Sequence, residues 1–154
     1  MPPDIVAVPA SGKSELWTMY QRYARELAPM ANIRPVNGEI PDARFEDYWT
    51  LPSHWPYWAV FDGAHIGFAL IRAEGDAMRM AQFYIVPERR REGLGFAFAQ
   101  ALLARHPGPW RIRQMAANTK AVAFWRRVVD PFGYSETRFT DKGIARVEQR
   151  LIVT

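Results

Sequence analysis

Apolar side chains recur along this chain with two different periods. Between residues 12 and 29 they return every three or four positions, which predicts an amphipathic helix with Ser14 as its N-cap. Residues 57–74 instead form two β-rich runs around Asp62-Gly63, a turn pair typical of hairpins. A further β-rich run over residues 78–87 predicts a third strand, closed by a proline.

The second half of the chain alternates between the two periods. Helical patterns run from about Leu94 to Arg105 and from Asn118 to about Val129, and a strand pattern over residues 110–116 lies between them. Residues 138–154 alternate like paired strands. A strand–helix–strand unit flanked by antiparallel strands predicts a mixed α/β sheet, and the length suits one domain over residues 1–154.

Composition narrows the functional classes. The chain is 49% hydrophobic and 14% aromatic, which excludes disorder. It has no cysteine, and its three histidines (His54, His65 and His106) show no ligand spacing, so no metal site is expected. The N-terminus lacks the pattern of a signal peptide, and no apolar run approaches a membrane span. We therefore expect a cytoplasmic protein with no membrane partner.

The net charge of +4 does little to identify a partner. It arises from 17 arginines and 3 lysines against 16 acidic residues. Nucleic-acid binders usually carry a longer basic stripe interleaved with exposed aromatics. Here only Arg89, Arg90 and Arg91 form a run, so no nucleic-acid partner is expected.

The stretch Arg90–Gly95, called the glycine loop below, predicts an anion site. The helix that follows it is apolar almost all round and is therefore expected to be deeply buried. Its first turn would bring free backbone N–H groups and the positive end of the helix dipole to the sheet edge. Gly93 and Gly95 allow the backbone to approach a ligand closely, and Arg90 and Arg91 add positive charge. Together these features predict a site of the kind that binds phosphate.

Two common phosphate-binding motifs do not fit the glycine loop. The chain contains no GxxxxGK[ST] sequence. A dinucleotide fingerprint starts at Gly93-Leu94-Gly95, but Phe98 occupies its third position, where a small residue is needed for helix–strand packing.

The glycine loop instead resembles motif A, [QR]xxGx[GA], of the GNAT superfamily of acyl-CoA-dependent N-acyltransferases. A strand ending in Ile85-Val86-Pro87 precedes it, and the apolar helix follows it. Downstream, Asn118–Trp125 (NTKAVAFW) resembles motif B, N-x-x-A-x-x-F-[YW], at a fitting spacing. Together with W-x-[IV]-R-Q at Trp110–Gln114, it also resembles a bacterial, poorly characterised subgroup. The resemblance is strong over residues 78–129.

This resemblance implies a single-domain GNAT fold that uses acetyl-CoA (coenzyme A) as co-substrate and no metal. The strand that precedes the glycine loop would pair with the pantetheine arm, and the N–H groups of the loop would hold the pyrophosphate. Residues of the last helix would flank the coenzyme. The implied coenzyme-binding residues are Phe83, Tyr84, Ile85, Arg90, Arg91, Glu92, Gly93, Leu94, Gly95, Asn118, Phe124 and Trp125.

Each of these assignments has a structural alternative. Asn118 is a good N-cap and would occur at a helix start for that reason alone. Phe124 and Trp125 lie at helical spacing and could belong to the core. Glycines are common in turns between strands and helices, and arginines are commonly solvated. It is the joint occurrence of these residues at the right spacing that favours a coenzyme site.

The catalytic residues stay unassigned at this point. Many superfamily members place a carboxylate on the strand before motif A and a tyrosine in motif B, but this chain has only Gln82 on that strand and Trp125 at the tyrosine position. An indole N–H donates a hydrogen bond but is not a proton acid at neutral pH. Other candidates are Glu46 and Asp47 as bases and Tyr84 and Tyr134 as acids, although a solvated helix face explains each of the two carboxylates better than a catalytic role does.

The segment from residue 45 to residue 58 is rich in aromatic side chains. It predicts an acceptor pocket for an apolar, aromatic or cationic group. The same residues would also suit a closed core or the surface of a homodimer.

Two functions follow from these observations. The first is an N-acetyltransferase that moves an acetyl group from acetyl-CoA to a primary amine of a small molecule or peptide. The alternative is a non-catalytic acyl-CoA-binding sensor or regulator of the same fold, because the usual carboxylate and tyrosine are missing.

Overall fold

A computed structural model describes residues 1–154. The helices are α1 (Lys13–Ala31), α2 (Asp47–Thr50), α3 (Leu94–Arg105) and α4 (Thr119–Val129). The strands are β1 (Asp4–Ala7), β2 (His54–Phe61), β3 (Ala64–Glu74), β4 (Ala77–Ile85), β5 (Gly108–Met115), β6 (Tyr134–Asp141) and β7 (Ile144–Val153).

All seven strands form one sheet in the order β1-β2-β3-β4-β5-β7-β6. Neighbouring strands are antiparallel except β4 and β5, which are parallel and are joined through α3. The predicted mixed α/β sheet with a central strand–helix–strand unit is therefore confirmed. The parallel pair β4–β5 matters most for function, because the C-terminal ends of both strands lie at the same edge of the sheet.

Local sequence signals set most of the element boundaries correctly. The hairpin turn at Asp62-Gly63 has φ angles of 51° and 75°, as a two-residue turn with both residues left-handed requires. The expected N-cap at Ser14 is wrong, since α1 begins at Lys13 and Gly12 stands at the cap position without a side-chain hydrogen bond. The edge strand β1 was not predicted, because its four mostly exposed residues show no clear alternation.

Two hydrophobic clusters lie on opposite faces of the sheet. One lies under α3 and α4 and includes the fully buried Phe98. The other lies under α1 and includes the fully buried Leu16. Because successive strand residues point to opposite faces, Phe83 and Ile85 of β4 contact the first cluster and Tyr84 belongs to the second. Strand β4 thus presents different side chains to the two faces.

The aromatic segment from residue 45 to residue 58 belongs mainly to the core. Phe45, Tyr48, Tyr57 and Trp58 are buried. The indole N–H of Trp49 donates to the carbonyl oxygen of Val8 at 3.0 Å, which ties the segment to the N-terminal strand region. Of the three interpretations of this segment, the core is confirmed. None of these residues lines the cleft described below, so the expected aromatic acceptor pocket stays a prediction.

Candidate active site

A cleft opens where the two parallel strands separate. Strands β4 and β5 pair only at Met78↔Trp110 and Arg79↔Arg111. Beyond Arg79 the edge of β4 that faces β5 has no strand partner. An unpaired strand edge presents backbone N–H and C=O groups, which can pair with another extended chain. The cleft therefore offers hydrogen bonds to a ligand that carries amide groups.

The glycine loop lies at the head of this cleft, between the end of β4 and the start of α3. Gly93 is the N-cap of α3 with a φ of 76°, and no side chain caps this helix end. A Cβ atom on Gly95 would lie 3.3 Å from Cγ1 of Ile85, so α3 and β4 approach closely here. The first N–H groups of α3 are thus open to an external acceptor, which fits a phosphate group.

The three arginines next to the loop have different environments. Arg89 donates to Glu92 at 3.1 Å. Arg90 donates from Nε to the carbonyl oxygen of Ile85 at 2.8 Å and pairs with Glu26 at 3.0 Å. Arg91 forms no ion pair, and its φ of 65° is unusual for a residue other than glycine. Only Arg91 therefore has a guanidinium group free for a ligand.

Helix α4 forms the opposite wall of the cleft. Asn118 caps this helix, with Oδ1 accepting from the backbone N–H of Ala121 at 3.3 Å. Trp125 is 6% exposed and contacts Phe83 edge-to-face, with 5.0 Å between ring centroids. The capping and core alternatives for these residues are thus correct, and the same residues also line the cleft.

The cleft has a volume of about 1650 Å³ and brings most of the predicted coenzyme residues together. Those that line it are Phe83, Tyr84, Ile85, Arg90, Arg91, Gly93, Gly95, Asn118, Phe124 and Trp125. The side chains of Glu92 and Leu94 do not line it. Glu92 is paired with Arg89, and Leu94 is buried in the core under α3. A ligand would reach these two residues only through their backbone groups.

Several residues of the cleft were not found from the sequence. Helix α1 contributes Tyr23, Glu26, Leu27 and Met30, and α4 and its C-terminal turn contribute Lys120, Arg126, Arg127 and Asp130. No local motif marks these residues. The only available signal was the amphipathic pattern of each helix. This pattern indicates that one face of the helix is polar, but it does not identify the residues or ligand that this face contacts.

The structure places some of the candidate catalytic residues in the cleft and others outside it. Glu46 is paired with Lys13 at 2.9 Å and Asp47 is partly buried, and neither lines the cleft. Gln82 accepts a hydrogen bond from the hydroxyl of Tyr23, so its carbonyl oxygen is already engaged. The two expected carboxylate bases are therefore outside the site.

Tyr84 and Tyr134 do line the cleft. Tyr84 is 3% exposed, and its hydroxyl is buried without any hydrogen-bond partner. Burial raises the pKa of this hydroxyl, and the nearby Glu26 carboxylate raises it further, so it stays protonated at neutral pH. Buried hydroxyls are nearly always hydrogen-bonded in proteins, which makes Tyr84 an unusual feature of the cleft.

The three histidines lie in separate places. The ring of His54 lies near the carbonyl oxygen of Pro52, His65 contacts Glu15, and His106 contacts the hydroxyl of Tyr57. The structure contains no group of three or more His, Cys, Asp or Glu residues that could hold a metal ion. None of its helices is both long enough and apolar enough to cross a membrane.

Several solved structures share this arrangement of strands and helices, and the first two of the following three are named as acetyltransferases. One is the ribosomal-protein-S18-alanine N-acetyltransferase from Escherichia coli, with a TM-score of 0.67, 14% identity and coverage of 99% of this chain and 94% of that one. Another is an acetyltransferase from Thermus thermophilus, with a TM-score of 0.70, 15% identity and coverage of 99% and 98%. A third is AAC(6')-Ib in complex with ribostamycin and coenzyme A, with a TM-score of 0.73, 15% identity and coverage of 99% and 94%. At these identities the likeness shows the fold alone.

The sequence comparison defines the family. Residues 15–129 match the acetyltransferase (GNAT) family, whereas no curated protein matches the chain. The match covers most of the chain, so this protein belongs to the GNAT family of acyl-CoA-dependent N-acyltransferases.

Proposed function

We propose that this protein is an N-acetyltransferase that moves an acetyl group from acetyl-CoA to a primary amine of a small molecule or peptide. The observation that carries the proposal is the separation of β4 from β5 with the glycine loop at its head. An unpaired strand edge suits the two amides of a pantetheine arm, and an uncapped helix N-terminus suits a pyrophosphate. Two similar structures also support an amine acceptor. One is named as an alanine N-acetyltransferase, and the other contains bound ribostamycin.

Each predicted coenzyme residue has a role in this proposal. The backbone of Phe83, Tyr84 and Ile85 pairs with pantetheine. The N–H groups of the glycine loop hold the pyrophosphate, with Glu92 and Leu94 contributing only through the backbone. Arg91 supplies charge, whereas Arg90 holds the loop in place through Ile85 and Glu26. Asn118, Phe124 and Trp125 form the wall of the cleft on the α4 side.

The reaction needs a neutral amine and an activated acyl group, and bound acetyl-CoA supplies the thioester. The nitrogen lone pair forms a bond to the carbonyl carbon as the C–S bond breaks. The sulfur keeps the electron pair and is protonated, and the nitrogen loses one proton. No carboxylate lies on β4, so the proton from nitrogen passes to water in the open cleft.

A non-catalytic acyl-CoA sensor is the second candidate. It is favoured by the engagement of Gln82 with Tyr23 and by the indole of Trp125, which has no titrating proton. Such a protein would bind the coenzyme as tightly as an enzyme does and would release no thiol.

One experiment separates the two functions. Binding of coenzyme A is measured by isothermal titration calorimetry, and thiol release from acetyl-CoA is measured with a panel of primary amines and lysine-containing peptides. Binding together with amine-dependent thiol release supports the enzyme. Binding without release for every amine supports the sensor, and absence of binding contradicts both.

The remaining expectations are part of the same proposal. They are one domain over residues 1–154, a cytoplasmic location, membership of the bacterial subgroup described above, and an acceptor that is neither nucleic acid nor membrane. Light scattering after gel filtration tests for a homodimer. A steeply salt-dependent affinity for polynucleotides would contradict the expected absence of a nucleic-acid partner.

A further inference from the structure

Four arginines form a continuous row across four neighbouring strands of the sheet. Arg72 of β3 is the register partner of Arg79 of β4, which is in turn the partner of Arg111 of β5. Arg111 is also the register partner of Arg150 of β7. Like charges placed opposite each other on neighbouring strands destabilise a sheet. Such a row therefore needs opposite charge beside it.

The protein supplies only part of that opposite charge. Together with Arg113 of β5, the row forms a cluster of five arginines, called the arginine cluster below. It contacts three carboxylates, through the ion pairs Arg72–Glu74, Arg79–Glu74, Arg113–Glu74, Arg113–Glu148, Arg150–Glu148 and Arg111–Asp76. Asp76 is a weak partner, since its side chain is 87% exposed and lies 3.7 Å from Arg111. The arginine cluster therefore carries an excess of two positive charges.

The arginine cluster lies on the α1 face of the sheet, beside the helix rather than under it. The strand neighbours Ile71 and Ile112 belong to the core under α3 and α4, so the arginines next to them project from the opposite face. The core under α1 includes no residue of β5, β6 or β7. The side chains of Arg111 and Arg113 are accordingly 33% and 22% exposed, which leaves their guanidinium groups accessible to a ligand.

The arginine cluster also borders the closed end of the gap between β4 and β5. Arg79 and Arg111 are the last paired residues before the strands separate, and Arg113 is the next residue of β5 on the same face. In the proposed complex the pantetheine arm pairs with β4 from Ile85 to Phe83. The sulfur of acetyl-CoA, at the end remote from the pyrophosphate, then lies beyond Phe83 in the direction of Arg79. These two residues are four positions apart, roughly 13 Å along a strand, so one small molecule can reach both the thioester and the cluster.

The cleft gives access to both faces of the sheet. Residues of α3 and α4 line it on one face, and Tyr23 and Leu27 of α1 line it on the other. The glycine loop and α4 are proposed to hold the coenzyme on the first face. The acceptor amine is therefore expected to approach the thioester from the α1 face, where the arginine cluster lies.

We propose that the arginine cluster binds an anionic group of the acceptor, and that the substrate is a primary amine with a carboxylate or phosphate a few bonds from its nitrogen. The planar guanidinium of Arg113 suits either anion, and Arg79 and Arg111 add positive charge. Glu74 and Glu148 hold these guanidinium groups in place. The anionic group takes no part in the acyl transfer and is unchanged by it. This inference rests on the proposed transferase function and names its acceptor class.

The first test compares amines that differ at the end remote from the nitrogen. 5-Aminopentanoate and pentylamine have the same number of carbon atoms, but the first ends in a carboxylate; 4-aminobutyl phosphate ends in a phosphate. We expect the better anionic amine to have a KM roughly tenfold below that of pentylamine in the thiol-release assay, because it gains hydrogen bonds to a charged group. The lower KM of the two anionic amines identifies the anion. Equal KM values for all three amines would overturn the proposal.

Two variants test the residues of the cluster. Arg113→Gln should reduce the preference for the anionic amine, the ratio of the two KM values, roughly tenfold. Arg111→Gln should reduce it by about threefold through the loss of one nearby charge, and it should keep the Tm because its partner Asp76 is exposed. The matched control is Arg138→Gln, which should keep the preference. Arg138 is an exposed arginine of β6 outside the cleft, on the same face as Glu136, which pairs with α4.

The outcomes distinguish a failure of this inference from a failure of the transferase function. If Arg113→Gln and Arg111→Gln raise the KM of pentylamine as much as that of the anionic amine, these arginines only support the fold and the acceptor class is wrong. If neutral amines are acetylated as well as anionic ones, the acceptor class is also wrong, but the transferase function stands. If no amine releases thiol from acetyl-CoA, the transferase function fails and the acceptor class fails with it.

Discussion

The guanidinium group of Arg90 connects the glycine loop to α1 through Glu26, at 3.0 Å, and to the carbonyl oxygen of Ile85, at 2.8 Å. The first position of the motif therefore holds the loop against β4 and α1, although its charge could have served a phosphate directly. Arg91, the next residue, has no such partner and lines the cleft. Neighbouring arginines in one motif thus have different tasks, one positional and one electrostatic.

Substitution of these arginines separates the two tasks. Arg91→Gln should weaken coenzyme A binding by about tenfold, since charge-assisted hydrogen bonds contribute roughly 1.5–3 kcal/mol, and should leave the Tm unchanged. Arg90→Gln should lower both the affinity and the Tm, because the loop loses its anchor to Ile85 and Glu26. Calorimetry and thermal melting measure the two effects. Arg89→Gln is the control, since its guanidinium group contacts Glu92 outside the cleft. If Arg91→Gln bound coenzyme A normally, Arg91 would have no role in the site.

Coenzyme A should raise the Tm of the protein. A ligand that binds only the folded state stabilises it by about 2.7 kcal/mol when present at 100 times its Kd. Adenosine should shift the Tm far less, because it lacks the pyrophosphate that the glycine loop is proposed to hold. Differential scanning fluorimetry at matched concentrations makes the comparison. Equal shifts from the two ligands would contradict the role of the loop.

Gly93 and Gly63 form a matched pair for testing the loop backbone. Their φ angles are 76° and 75°, and a Cβ atom on either residue would meet no other atom within 4 Å. Alanine at either position should therefore cost a similar free energy of unfolding, about 1–2 kcal/mol for the left-handed conformation. Only Gly93→Ala should also weaken coenzyme A binding, because Gly63, in the β2–β3 turn, does not line the cleft. A similar loss of affinity in both variants would show that strain alone is responsible.

Trp125 tests whether the enzyme needs a proton acid on α4. Trp125→Phe should keep most of the single-turnover rate, because the indole offers shape and one hydrogen bond but no titrating proton. Trp125→Tyr should match or exceed the wild-type rate by restoring the hydroxyl that the superfamily usually has there. General acid catalysis is worth typically ~10²-fold or more where it operates. A loss of that size in Trp125→Phe, at unchanged coenzyme affinity, would mean that the indole N–H acts in the reaction.

The pair Arg126–Glu136 predicts how stability changes in acid. The hydrogen bond from Arg126, at 2.6 Å, lowers the pKa of Glu136 to about 2, from about 4.5 in the unfolded chain. A lowered carboxyl pKa stabilises the folded state above the unfolded pKa, and this contribution is lost as the pH falls through the folded pKa. The Tm advantage of wild type over Glu136→Gln should therefore shrink between pH 4.5 and pH 2. Arg126→Gln removes the other partner of the same pair, so the Tm advantage of wild type over this variant should also shrink between pH 4.5 and pH 2. A Tm difference that stays constant across this range would rule out the linkage.

Much of the fold was accessible from the sequence because the signals are local. The hairpin at Asp62-Gly63 depends on two adjacent residues that accept positive φ angles, and α3 was placed correctly from Leu94 to Arg105 by its continuous apolar run. Strand β1 escaped detection because it is short and mostly exposed, and it is held by pairing with β2, which is more than 40 residues away.

The residues of the candidate site divide in the same way, into those marked by local motifs and those brought together only by the fold. The glycine loop and the start of α4 are contiguous motifs whose residue types are dictated by the backbone geometry they adopt, so the sequence by itself determined them. The engagement of Arg90 by Glu26, the orphaned hydroxyl of Tyr84 and the arrival of Leu27 and Met30 at the cleft were decided only by the tertiary structure. The physical reason is that each depends on how α1 packs across β4, which brings together residues about 60 positions apart, and a helical pattern specifies which face is buried but not the neighbour that covers it.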